Sequence, residues 1–313
     1  MSLRARITIS VIRRHFSLNP EIEVNQVEKC QSLNKMSGEK TSRGYVLAKG
    51  VTPSGTRYEK IVKKGGGEGK NLMLYLHGGA YVVGLVSLYR KMAGDFARAV
   101  GDGDVILLDY DCAPEAKYPT QLNQALDIWN YITTELGYRA ENITVGGDSA
   151  GGNLTLALLL KLRDEGRDMP RAAVLHSPWA DMTGSGDSYI FNYSNDAMFG
   201  LKGSSMDEEK RKKLLNCSIY NFVGDADRTD PYVSPVYGEY HNFPKTFFTV
   251  GSHEMLLSDT MTIVRKLKNE GNEPELVVGD GMFHVYPLAH SLLPEGKKAY
   301  KAMLNFIERQ YKR

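Results

Sequence analysis

Short apolar runs recur along the chain at Leu72–Leu76, Val105–Leu108, Ile143–Val145, Ala172–Leu175, Thr246–Val250 and Glu275–Val278. They are rich in Val, Ile, Leu or Phe, and most have Gly, Asp or Pro close by, as strands buried on both faces do. Between them the apolar positions take helical spacing, over Leu88–Val100, Gln121–Thr134, Ala150–Arg163, Asp259–Glu270 and Glu295–Tyr311. Strand alternating with helix predicts an α/β domain on a mainly parallel sheet. The first fifty residues are polar and helix-compatible, and the Gly65–Gly67 run reads as a surface turn before the first strand.

Two stretches stand outside this rhythm. Between Asp181 and about Pro231 there is no clear strand, only a loop rich in Gly, Ser, Asn and Asp followed by a charged helix, Met206–Leu215. Its acids (Asp207, Glu208, Glu209) precede its bases (Lys210–Lys213), the order a helix dipole favours. An insertion of this size in a compact domain is expected to be functional, as a lid over a site would be. At the N-terminus, Arg4, Arg6, Arg13 and Arg14 accompany Leu3, Ile7, Val11 and Ile12 near helical spacing, with no acid among the first seventeen residues. A mitochondrial presequence or a basic membrane-surface helix has this look. The plainer expectation is an amphipathic helix docked on the domain.

Composition narrows the class without naming a function. The 313 residues carry 39 Lys+Arg against 37 Asp+Glu, with 42% hydrophobic and 24% charged residues. That is ordinary globular composition, and it weighs against a disordered chain or a nucleic-acid binder. Apolar stretches such as Leu156–Leu160 fall short of the roughly 18–20 residues of a membrane span. Cys30, Cys112 and Cys217 are far apart and form no CxxC pair, which suits a reducing, cytoplasmic compartment and offers neither a disulfide framework nor a zinc site.

The chemistry concentrates in a few places. Gly147-Asp148-Ser149-Ala150-Gly151 is a G-x-S-x-G directly after a predicted strand and before an apolar helix, the context of a nucleophile elbow. Small residues flank the serine because the turn is tight, and the helix N-terminus favours developing negative charge. Asp148 reads as a residue that fixes the elbow. His77-Gly78-Gly79-Ala80 ends another strand, where adjacent glycines let backbone N–H groups approach an oxyanion. His77 itself suits a structural role.

A serine nucleophile needs a base, and the base needs an acid. After Ser149 the histidines are His176, His241, His253, His284 and His290. His284, in a turn between the last predicted strand and the final helix, stands where the α/β-hydrolase order places the base. It is preferred to His290, and His176 reads as a buried structural residue. For the acid, Glu254 lies in the turn after Thr246–Val250. Asp259 is the alternative and is expected to cap the next helix. Asp225, Asp227 and Asp230 precede that strand and read as loop structure.

With these stretches the chain resembles the hormone-sensitive-lipase-type (bacterial family IV) carboxylesterases of the α/β-hydrolase fold. The resemblance rests on HGGAYVVG (His77–Gly84), DYDCAPEAKYP (Asp109–Pro119), GDSAGGN (Gly147–Asn153), DPYVSP (Asp230–Pro235), GSHEMLLSD (Gly251–Asp259) and FHVY (Phe283–Tyr286). It implies a mainly parallel central sheet flanked by helices, with a cap formed by residues 1–45 and about 181–230 and a hydrolase domain over 46–313. It implies Ser149 as nucleophile, His284 as base, Glu254 as acid, and an oxyanion hole of the Gly78, Gly79 and Ala150 amides. Aspartate is the commoner acid in the family, which keeps Asp259 open. Tyr81, Tyr189, Phe191, Phe199, Tyr220 and Phe222 are candidates for the substrate pocket, and Glu115 for a supporting position.

The activity so implied is hydrolysis of short-to-medium acyl esters, a small-molecule reaction that needs no metal or organic cofactor. An amidase, deacetylase or lactonase would use the same residues. A ligand receptor on the same fold is disfavoured because Ser149, Glu254 and His284 are all present. No nucleic-acid partner and no stable membrane insertion are expected, and a homodimer is.

Overall fold

The computed structural model describes residues 1–23, 25–32, 38–66 and 69–312. Among these, eight strands form one sheet: β1 (Tyr45–Val51), β2 (Arg57–Lys63), β3 (Leu72–Leu76), β4 (Asp104–Asp109), β5 (Ile143–Asp148), β6 (Ala172–His176), β7 (Lys245–Gly251) and β8 (Glu275–Gly279). The order is β1-β2-β4-β3-β5-β6-β7-β8. The pairs β1–β2 and β2–β4 are antiparallel, and the five pairs from β4 through β8 are parallel.

Alternation along each buried strand feeds two cores. Met73 and Tyr75 face α3 (Ser87–Ala99) and α9 (Pro294–Tyr311), packing with Phe96, Met303 and Phe306. Leu72, Leu74 and Leu76 face α4 (Thr120–Asn130) and α5 (Ala150–Asp164), packing with Leu122, Ile128 and Leu158. On that second face α8 (Leu257–Asn269) adds Ile263 and Leu267 against Leu175 and Phe248. The six apolar runs of the sequence all lie within β3–β8.

The hairpin β1–β2 departs from the expectation of a helix-compatible start. β1 is an edge strand with its outer positions in solvent, and in β2 the buried residues are Glu59 and Ile61. Glu59 is buried because Arg90 meets it at 2.6 and 2.8 Å. A paired charge at an inward position hides the strand from a hydrophobic pattern. The Gly65–Gly67 run begins as a turn, with Gly66 N donating to Lys63 O at 3.0 Å; Gly67 lies outside the described residues.

Four further helices lie outside these layers: α1 (Leu3–His15), α2 (Gln26–Ser32), α6 (Ser188–Phe191) and α7 (Glu208–Leu215). α7 is the charged helix of the sequence, shortened at its start because Asp207 caps it by accepting from Lys210 N at 2.9 Å. The N-terminal segment and the insertion are tied together. Leu18 N donates to Met198 O at 2.7 Å, Asn19 Nδ2 donates to Phe199 O at 2.7 Å, and Ser218 Oγ donates to Gln26 Oε1 at 2.8 Å. Parallel strands deliver the loops that follow them to one edge of the sheet, so the turns after β3, β5, β7 and β8 converge there.

Candidate active site

Ser149 is the hinge between β5 and α5. Its φ of 53° is left-handed, a strained conformation held by close packing on both sides. A Cβ at Gly147 would overlap the carbonyl of Gly151, and one at Gly151 would overlap the carbonyl of Leu76, so the sharp turn requires glycine at both positions. Ser149 N donates to His176 O at 2.9 Å, which fixes the elbow to β6.

Three side chains from three loops form a line. His284 Nε2 lies 2.9 Å from Ser149 Oγ, and His284 Nδ1 lies 2.9 Å from Glu254 Oε2. Both Glu254 and His284 are buried. Burial opposes the imidazolium, but the hydrogen bond and charge of Glu254, helped by Asp196 and Asp148, outweigh it and raise the His284 pKa above its ordinary 6.5. The other Glu254 oxygen accepts from Ser177 Oγ at 2.7 Å and from Gly251 N at 2.5 Å. Ser177 was not singled out from the sequence; its one signal is a hydroxyl at the carboxyl end of a buried strand.

The remaining histidines lie apart from this line. His77 is buried, stacked on Tyr110 at 4.0 Å, with Nδ1 2.9 Å from Gly78 O, and burial lowers its pKa to about 4. His176 Nδ1 meets Thr249 Oγ1 at 2.7 Å, and His290 stacks on Tyr300 at 4.0 Å. Asp259 is no helix cap. α8 starts at Leu257, and Asp259 Oδ2 instead accepts from the amides of Ala180 and Asp181, both at 2.9 Å. Those bonds tie it to the start of the insertion, remote from His284 Nδ1, which Glu254 already occupies.

The glycine turn after β3 corrects one expectation. Gly78 N is not free for an oxyanion: it donates to Tyr89 Oη at 3.0 Å and Asp148 Oδ1 at 3.1 Å. Ala80, with φ 53°, stands two residues further along the same turn. Among the described residues, the amides of Gly79, Ala80 and Ala150 make no hydrogen bond within the chain. Gly79, Ala80 and Ser149 all line the same cavity. Asp148 also accepts from Tyr75 Oη at 3.0 Å and Tyr89 Oη at 3.1 Å, so one carboxylate holds the glycine turn against the elbow. Burial raises its pKa to about 6 against those three donors.

The profile of the alpha/beta hydrolase fold family matches residues 73–288. The chain belongs to that family. It is 29% identical over 254 residues to an esterase from Acinetobacter venetianus, covering 81% of this chain and 79% of that one. A crystal structure of an esterase/lipase from an uncultured bacterium superposes with a TM-score of 0.84 at 29% identity, over 99% of each chain. A second, an esterase from the bacterial hormone-sensitive lipase family, gives 0.82 at 28% identity over 100% and 99%.

In this alpha/beta hydrolase a cavity of about 400 Å³ opens on Ser149 and His284. Its walls are mostly apolar: Phe16, Leu18 and Cys30 from the N-terminal segment, Val83, Val86 and Leu88 after β3, Met198 and Phe199 from the insertion, and Leu288. The Cys30 thiol is pushed up to about 12 by burial and is an uncharged part of the wall. A smaller cavity of about 20 Å³ also touches Ser149, bounded by Trp179, Tyr189, Leu214, Tyr220 and Met255. Phe199 borders both and meets His284 edge-on, ring centroids 5.2 Å apart.

Of the aromatic candidates, Phe199, Tyr189 and Tyr220 therefore reach a cavity. Tyr81 and Phe222 stack on each other at 4.1 Å beneath it, with Tyr81 Oη donating to Asn153 at 2.7 Å. Phe191 points into solvent at 57% exposure, because it sits on the outer side of the short helix α6. Glu115 is also exposed. The cap expected over residues 1–45 does reach the wall through Phe16, Leu18 and Cys30, which the sequence does not single out because residues far apart in the chain meet there. Among the described residues, no cluster of His, Cys, Asp or Glu could hold a metal, and no helix is long and apolar enough to cross a membrane.

Proposed function

We propose that the chain is a hormone-sensitive-lipase-type serine carboxylesterase acting on short-to-medium acyl esters. The observation that carries this is the unbroken line Glu254–His284–Ser149, with both contacts at 2.9 Å, opening into an apolar cavity beside unengaged backbone amides. His284 takes the Ser149 proton as Oγ attacks the ester carbonyl, and Glu254 stabilises the imidazolium. The amides of Gly79, Ala80 and Ala150 receive the oxyanion, one such donor contributing about 3–4 kcal/mol. His284 then protonates the departing alcohol, and water resolves the acyl-enzyme by the same steps. Residues 1–45 and 181–230 act as the cap that shapes the acyl site. Cys30, Cys112 and Cys217 are free thiols, which supports a cytoplasmic location.

Hydrolysis of p-nitrophenyl esters from acetate to palmitate, with Ser149→Ala beside the wild type, tests the reading. Turnover that peaks at short or medium chains and vanishes in Ser149→Ala is expected. Folded wild type that turns over no ester overturns it in favour of an amide or lactone substrate.

A further inference from the structure

We propose that the outer face of α1 is a docking surface for an anionic lipid bilayer, and that docking turns the mouth of the active-site cavity towards the membrane. The inner face of this helix is already used: Ala5 is buried with Met282, Phe283 and Leu293, and Ile9 and Ile12 pack against the same cluster. The outer face carries Leu3, Ile7 and Val11, four residues apart, at 73%, 57% and 45% exposure. None of these three large apolar side chains belongs to the apolar cluster that seats the helix.

Charge indicates what covers them. Arg4, Arg6 and Arg14 are exposed beside the stripe, and among the described residues none has a carboxylate partner, whereas Arg13 donates to Asn195 O at 2.8 Å. No acid occurs before Glu21. An apolar stripe edged by unpaired arginines matches the boundary between acyl chains and acidic headgroups, and it opposes a neutral or basic protein surface. At 13 residues the helix is about 20 Å long, too short to span a bilayer, so it lies in the interface.

Position adds the reason to dock. His15, the last residue of α1, and the neighbouring Phe16 are exposed, and both line the cavity. The stripe therefore ends at the cavity mouth, and a helix lying on a membrane would present that mouth to ester-bearing molecules dissolved in it.

Sedimentation with vesicles tests this without reference to catalysis. Phosphatidylcholine vesicles are compared with phosphatidylcholine–phosphatidylglycerol vesicles in about a 2:1 ratio. The wild type is expected to sediment with the anionic vesicles only, and to be released between about 0.05 and about 0.5 M salt. The Arg4→Gln/Arg6→Gln/Arg14→Gln variant should bind roughly a hundredfold more weakly, about fivefold per arginine. Leu3→Ser/Ile7→Ser/Val11→Ser should also lose binding, and because none of these six side chains lines the cavity, both variants should hydrolyse a soluble ester at the wild-type rate. Failure to sediment with anionic vesicles, equal sedimentation with neutral ones, or full binding by either variant overturns the proposal. So does a wild-type dimer that Leu3→Ser/Ile7→Ser/Val11→Ser converts to monomer, because a second copy would then cover the stripe.

Discussion

Ser177 Oγ donates to Glu254 Oε1 at 2.7 Å and itself accepts from Val285 N at 3.1 Å, so one buried side chain joins the carboxylate to the turn that carries His284. Ser177 has φ 44°, where an alanine is strained and a glycine is not. Ser177→Ala and Ser177→Gly should each lower kcat roughly 10–100-fold with little change in KM, the value of a hydrogen bond to a charged group. In urea, Ser177→Gly should be the more stable of the two by about 1 kcal/mol. Wild-type kcat in the glycine variant would show that backbone strain, and not the hydroxyl, is what matters at this position.

Glu254 and Asp259 separate cleanly. Glu254→Gln puts an amide where both carboxylate oxygens now accept, and should cost up to about 10⁴ in kcat with the fold intact. Asp259→Asn keeps an acceptor for the Ala180 and Asp181 amides and removes a carboxyl whose burial holds its pKa well above the usual range. Its kcat should match the wild type. Steady-state kinetics on one soluble ester decide the assignment, and the reverse pattern would move the acid to Asp259.

The raised pKa of His284 fixes the sign of the pH response. As the proposed base, His284 must be neutral, so kcat/KM should fall as pH drops through a midpoint above 6.5. Without the charge of Glu254, the residual activity of Glu254→Gln should show that midpoint at lower pH. For stability the sign is opposite: the favourable term from charged His284 is complete below pH 6.5 and is lost as pH rises through the folded-state value. A pH profile of kcat/KM for both proteins provides the check.

Phe199 is the one large side chain that lines both cavities beside Ser149, together with Ala80 and Ser149 itself. Phe199→Ala should join them and raise kcat/KM for long acyl esters relative to acetate. Loss of its edge contact with His284 should lower kcat for all chain lengths alike. An unchanged chain-length profile would place the acyl group elsewhere.

Much of this was legible before the fold was known. β3–β8 announced themselves because both of their faces are buried, so their sequences are continuous apolar runs. The places of Ser149 and His284 are legible from local turns, a strand–serine–helix junction and a histidine after the last strand, and the structure brings the two within 2.9 Å. What stayed hidden depended on contacts between distant residues. Ion pairing of Glu59 with Arg90 conceals β2, and Gly78 has the sequence context of an oxyanion donor although Asp148, 70 residues on, holds its amide. The pocket wall was obscured most, since Leu18 reaches it only by bonding to Met198 across 180 positions.

The helix α1 packs its inner face on residues from the far end of the chain: Ala5 against Met282 and Phe283, next to His284, and Ser2 with Glu295. A ribosome adds about 5–20 residues per second. The first helix therefore emerges roughly 15–60 s before the residues it rests on exist. During that interval both its apolar faces are bare, and the cavity has no finished wall. The nascent protein would close this cavity only as β8 and α9 leave the ribosome, so α1 is seated by residues made long after it.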